Sequence, residues 1–88
     1  MVTNIRFTPH AEQKLLRLAK VGITKEKVIE AIKNPDKRVD GYWGRKIAQS
    51  SLTDELVLRV IHEEINNEIL VITIYPGERS RYEDEISI

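Results

Sequence analysis

Four arginines in this 88-residue sequence stand where an oxyanion could be handled. They are Arg45 beside Lys46, Arg59 inside an apolar run, and Arg79 and Arg81 near the C-terminal end. A planar guanidinium holds phosphate oxygens through two parallel hydrogen bonds and keeps its charge at neutral pH. His62 follows Arg59 closely, and an unperturbed pKa of about 6.5 suits it to proton transfer. Its structural alternative is a half-exposed strand-end histidine that is merely hydrogen-bonded. Tyr42, Trp43 and Tyr75 could stack on bases, each contact contributing roughly 1–3 kcal/mol. Their competing role is core packing. Trp43, followed by Gly44 and then Arg45-Lys46, joins an aromatic ring to a basic pair, a combination suited to nucleic acid. An unpaired charge buried in the Arg59 strand would be costly, so Arg59 either pairs with an acid such as Glu78 or Glu68 or opens into a cleft.

Other chemistries lack their residues. The absence of cysteine removes disulfides, zinc-thiolate sites and thiol nucleophiles together. His10 and His62 are widely separated and form no recognised ligand spacing, so no metal is expected. His10, in the first turn of a helix, reads as a locally bonded structural residue. No glycine-rich phosphate loop or serine nucleophile motif occurs, and no cofactor is expected.

These side chains need a scaffold, and its size is bounded. Eighty-eight residues support one core, so residues 1–88 are expected to form a single domain. A charged fraction of 32% beside an apolar fraction of 41% fits a globular chain. No run reaches the roughly 20 apolar residues of a membrane span, and no signal-peptide pattern opens the chain, so a cytoplasmic protein is expected. Many charges of both signs, abundant isoleucine, two glutamines (Gln13, Gln49) and no cysteine resemble a thermophile's composition. The zero net charge hides an asymmetry. Residues 1–50 carry eleven Lys/Arg against five Asp/Glu, and residues 51–88 carry three against nine. A polyanion would favour the first half, whereas a solvated helical surface explains the same charges without a ligand.

The elements follow from periodicity. Asn4 to Phe7 alternates as a short strand. Thr8-Pro9 reads as an N-cap and first helical residue, and Ala11, Leu15, Leu18 and Ala19, widened by Leu16, form an apolar face on a helix through Lys20. Gly22 closes it, and Thr24 caps a second helix in which Ile23 and Val28 are placed as a hydrophobic staple. Val28, Ile29, Ala31 and Ile32 form its buried face, and Asn34-Pro35 ends it. Strands are expected at Lys37 to Trp43, Arg45 to Ser51, Leu56 to Ile61 and Ile69 to Tyr75, with Pro76-Gly77 stopping the last. The segment 64–68 has the length and residues of a hairpin loop. The fold expected is α+β, an N-terminal helical hairpin packed on an antiparallel sheet in the order β-α-α-β-β-β-β. The sheet's second face must then meet a partner protein, a second copy of the chain, or a shallow substrate cleft.

That order resembles the RelE/ParE superfamily of toxins from toxin–antitoxin pairs. The phrase Phe7-Thr8-Pro9-His10-Ala11, then Gly22-Ile23-Thr24 leading into Val28-Ile29-Glu30-Ala31-Ile32-Lys33-Asn34-Pro35, resembles a large prokaryotic family related to the BrnT toxins. So does the strand end Ile72-Thr73-Ile74-Tyr75-Pro76. Gly77-Glu78-Arg79-Ser80-Arg81-Tyr82 is similar to the exit of RelE's final strand, where basic residues precede a tyrosine. By that similarity Arg79 or Arg81 and Tyr82 correspond to the catalytic arginine and tyrosine. Arg59 is the nearest substitute for an early arginine in RelE's preceding strand, because the stretch here begins Asp54-Glu55-Leu56. The tail continues Glu83-Asp84-Glu85 where a ribosome-directed toxin would be basic.

The resemblance implies a type II toxin that cleaves messenger RNA, on or off the ribosome, without metal, and that is neutralised by an antitoxin protein. In such a reaction a 2′-hydroxyl attacks the neighbouring phosphate, so one proton must leave, another must arrive, and extra negative charge must be stabilised. The expected catalytic set is Arg59, Arg79, Arg81, Tyr82 and His62, with Trp43, Arg45 and Lys46 binding substrate. A ParE-like module that binds or inhibits a protein without catalysis is the alternative. Its motive is the zero net charge and the acidic tail. The first reading requires the C-terminal guanidinium groups to converge on one water-accessible hollow.

Overall fold

The computed structural model describes residues 4–85. Strand β1 (Asn4–Phe7) leads into helix α1 (Pro9–Leu18) and helix α2 (Lys25–Lys33). Four strands follow: β2 (Lys37–Asp40), β3 (Lys46–Ser51), β4 (Leu56–Ile65) and β5 (Glu68–Glu78). They form one five-stranded sheet in the order β1-β5-β4-β3-β2. The fold is therefore α+β, with both helices on one face.

The helix ends form where the capping residues predict. The Thr8 hydroxyl accepts from the Ala11 amide at 3.1 Å, and the Thr24 hydroxyl accepts from Lys27 at 3.3 Å. Between the helices a 3-10 turn (Ala19–Val21) closes on Gly22 at φ 83°, a conformation that glycine adopts without steric cost. Ile23 and Val28 are both buried, as their stapled positions require. The apolar face of α1 is narrower than its sequence suggests. Ala11 is fully buried and Leu15 and Leu18 partly so, but Leu16 and Ala19, the latter beyond the end of α1 at Leu18, face solvent.

Three departures in the sheet matter for the site. First, β1 runs parallel to β5, so the sheet is mixed where an antiparallel one was expected. The chain leaves β1 through two helices, a crossover long enough to return it parallel. Secondly, β2 ends at Asp40 instead of reaching Trp43, because Tyr42–Gly44 turns with Trp43 at φ 57° and Gly44 at φ 75°. Thirdly, β5 runs on through Pro76-Gly77 to Glu78. Beyond Val71 its outer side has no strand neighbour, so a residue lacking an N–H forfeits no ladder bond there.

The β4–β5 hairpin turns at Asn66 and Asn67, both at positive φ, in the manner of a two-residue mirror-image turn. Its register then slips. Ile61 pairs with Thr73 and His62 with Val71, leaving Ile72 as an extra residue in β5. A bulge of this kind inverts the alternation beyond it. Ile69 and Val71 face the helices before the bulge, and Ile74 does so after it, all three belonging to one core with Val28, Ala31 and Val60. Tyr75 and Gly77 are thereby sent to the opposite face.

Candidate functional site

Gln49 of β3, Arg59 of β4 and Tyr75 of β5 are direct partners across three neighbouring strands, so their side chains form a row on the face away from the helices. That face is covered in part by the chain's own C-terminal segment, a 3-10 turn (Arg79–Tyr82) continuing to Glu85. Several contacts hold the segment in place. The Lys37 ammonium donates to the Tyr82 carbonyl at 2.6 Å, and Arg79 donates to Ser51 Oγ and to the carbonyls of Thr53 and Asp54 at 2.9–3.0 Å. Gly77 completes the seat. A Cβ at that position would lie 2.7 Å from Tyr82 Cε2, so only glycine admits the ring.

Arg59 is the centre of this arrangement and is only 2% exposed. Its Nε donates to the Tyr75 hydroxyl at 3.0 Å and its Nη1 to Gln49 Oε1 at 2.6 Å. Nη1 and Nη2 grip the two Glu85 carboxylate oxygens at 2.7 and 3.2 Å. The Tyr82 ring lies over the guanidinium, 3.7 Å from centroid to Cζ. Four of the five guanidinium donors are thus engaged. Burial opposes the charge, but the bonds to Glu85 and Tyr75 outweigh it and the guanidinium pKa rises above its ordinary value. Burial, with Tyr75 beside it, also pushes the Tyr82 hydroxyl upward, so at neutral pH it is a proton donor.

A groove of about 530 Å³ opens beside this centre, with Asp40 and Glu85 among its lining. Ile47, Ile61, Tyr75, Tyr42, Trp43 and Arg45 line it too. Trp43 is 88% exposed and Tyr42 84%, and their rings lie 6.0 Å apart. The left-handed backbone at Trp43 costs about 1–2 kcal/mol for a residue with a side chain. The two rings together leave an exposed apolar patch beside the groove. Arg45 is paired with Glu63 at 2.9 Å, both partly exposed, an interaction weak enough for a ligand to replace.

No family model and no curated protein matches this chain. The solution structure of a conserved hypothetical protein, HP0894 from Helicobacter pylori, is similar at a TM-score of 0.46 and 11% identity, covering 91% of this chain and 97% of that one. Its description names no function.

The structure brings together only part of the set singled out in the sequence, and the guanidinium groups of Arg59, Arg79 and Arg81 do not converge on one open hollow as expected, since none of the three lines the groove. Arg59 and Tyr82 are in contact, and Trp43 and Arg45 line the adjoining groove. Arg79 lies in the same segment as Tyr82 but its side-chain bonds go to Ser51 at the end of β3 and to the loop that follows it. Arg81 is exposed. Lys46 is across from His62 on the helix side and pairs with Asp40 at 2.6 Å. The acid on Arg59 is Glu85, not Glu78 or Glu68; Glu68 lies at the far end of β5 near Arg6 and Asn4. His10 bonds Thr73 across the fold at 3.0 Å, not locally as expected.

His62 is the clearest departure. Three positions along β4 from Arg59, it faces the helices and is completely buried. Nδ1 donates to the Val60 carbonyl at 3.3 Å, and buried Nε2 has no hydrogen-bond partner among the described residues. Burial lowers its pKa, with Arg38 and Lys46 adding to that effect and Val60 and Glu64 opposing it. A pKa below that of the unfolded chain means that the unfolded state takes up the proton first. Stability is therefore full above about pH 6.5 and falls on acidification by up to about 1.4 kcal/mol per pH unit. His62→Leu is expected to remove this slope, measured by urea denaturation between pH 7.5 and 5; equal slopes in both proteins would refute the assignment.

Gln49, Glu85 and Gly77 are the site residues that the sequence did not mark. Glu85 is visible there only as one acid of a tail, and Gly77 only as a strand stop and the first residue of the strand-exit phrase. Tyr75 is marked as an aromatic but not as the neighbour of Arg59.

Proposed function

We propose that this chain is the toxin of a type II toxin–antitoxin pair, a cytoplasmic endoribonuclease that takes single-stranded messenger RNA, free or on the ribosome, through the groove. The observation that carries the reading is a groove rimmed by two solvent-exposed aromatic rings, two of whose lining residues, Tyr75 and Glu85, bond the buried guanidinium of Arg59 directly behind them. Bases would stack on Trp43 and Tyr42, and Arg45 would exchange Glu63 for a backbone phosphate. The scissile phosphate would sit on Arg59. There the 2′-oxygen bonds to phosphorus, its proton passes to water in the groove, and the 5′-oxygen leaves with the proton of Tyr82. Arg59 opposes the charge that builds on the non-bridging oxygens. His62 has no part in these steps, since it lies on the other face of the sheet.

A second reading has an observation of its own. Arg59 is already answered by Glu85, Gln49 and Tyr75, as a structural arginine would be, and the groove would then hold a segment of a protein partner. Incubation with RNA alone and with translating ribosomes separates the two. Cleavage in either setting, lost in Arg59→Lys, supports the nuclease. Trp43→Ala is expected to weaken binding of a short single-stranded RNA about tenfold, the loss of one base stack. No cleavage in either setting, with RNA binding unchanged by Trp43→Ala, would leave the protein-binding module.

A further inference from the structure

The ion pair at the centre is asymmetric. Arg59 is fixed from below by Gln49 and Tyr75 and from above by the Tyr82 ring, and its side chain is 2% exposed. The Glu85 side chain is 35% exposed and lines the groove. The donor is built into the sheet, whereas the acceptor reaches it from a tail. That tail is anchored at Tyr82, through Lys37 and the Gly77 seat, while Glu83 and Asp84 beyond it are exposed. The side-chain hydrogen bonds of Glu85 among the described residues all go to Arg59. Releasing the carboxylate leaves the guanidinium with Gln49, Tyr75 and the Tyr82 ring as partners.

The geometry points to Glu85 as a displaceable internal ligand: the Arg59, Gln49 and Tyr75 row is a preformed seat for one oxyanion, which the acidic tail occupies and thereby holds closed. The inference rests on reading Arg59 as the phosphate-handling group. A planar carboxylate on two guanidinium nitrogens stands in for the two oxygens of a phosphodiester or a free phosphate. Ligand binding must first open the tail, so the apparent affinity is the intrinsic affinity multiplied by the open fraction. A tail closed nine-tenths of the time would weaken binding about tenfold. The same competition explains how an acidic tail and an anion site coexist in one small domain.

The full chain is titrated with inorganic phosphate and, separately, with a short single-stranded RNA, following the Arg59 Nε–H resonance by NMR. Glu85→Ala is expected to bind phosphate about tenfold more tightly than the parent. Glu83→Ala, which removes the same charge from a residue not bonded to Arg59, is expected to change affinity less than twofold. Arg59→Met in the Glu85→Ala background should abolish the gain. Glu85→Gln, which preserves shape, serves if the alanine variant is poorly folded, and should shift affinity in the same direction. Equal phosphate affinity in parent and Glu85 variants, or an equal gain from Glu83→Ala, would overturn the proposal. If phosphate binding tightens and RNA still fails to bind, the gate stands and the RNA reading falls. If RNA binds the parent and the Glu85 variants alike, the RNA reading stands and the gate falls.

Discussion

Arg59→Met is expected to lower the free energy of unfolding by about 3 kcal/mol. The substitution removes four hydrogen bonds and the cation under the Tyr82 ring, and it leaves Gln49 and Tyr75 facing an apolar side chain. Breaking a buried ion pair by deleting one partner costs about 3–5 kcal/mol. The lower figure applies because Glu85, a third exposed, can turn to water. In a domain of this size, whose total stability is about 5–10 kcal/mol, that is a large share. Arg59→Lys should recover less than half of it, since an ammonium cannot serve Gln49, Tyr75 and both oxygens of Glu85 together. Urea denaturation measures both. A loss under about 1 kcal/mol for the methionine variant would mean that the guanidinium contributes no net stability and that the centre is not structural.

Gly77→Val should have the second largest effect, and by a different route. The added Cβ would meet Tyr82 Cε2 at 2.7 Å and its hydroxyl at 3.1 Å, on a ring that cannot retreat without leaving Arg59. Overpacking of this kind costs about 1–3 kcal/mol. Because Tyr82 is the anchor of the tail, the variant should also be cut by trypsin after Arg79 and Arg81 much faster than the parent, before any global unfolding. Gly77→Ala should show the same two changes at smaller size. An unaltered melting temperature together with unaltered tryptic resistance would show that the ring does not pack on Gly77.

Much of the architecture was legible because its signals are local. Thr8-Pro9, Gly22, Thr24 and Asn34-Pro35 each act through hydrogen bonds or steric limits within a few residues, and the helix boundaries follow from them. The apolar runs of β4 and β5 likewise announced central strands. The parallel placement of β1 was not legible, since alternation in Asn4–Phe7 says nothing about direction. Nor was the row on Arg59. Counting back from the Asn66-Asn67 turn pairs Arg59 with Ile74, and the extra Ile72 moves the pairing to Tyr75. A single bulge thus decides which residue meets the guanidinium, and no property of Ile72 itself marks it. Glu85 was hidden for another reason. Its contact with Arg59 spans 26 residues and depends on how the segment after Gly77 folds back.

The short strand β2 is one lateral boundary of the sheet, with its outer backbone groups left without a strand neighbour among the described residues. Only four residues long, and bearing Lys37, Arg38 and Asp40, it is a poor template for backbone addition by another chain. Association through this rim would have to strip water from charged side chains for a handful of peptide bonds. A protein that approaches this side of the molecule is therefore directed past the rim to the neighbouring broad surface, where side chains and not amides decide the match.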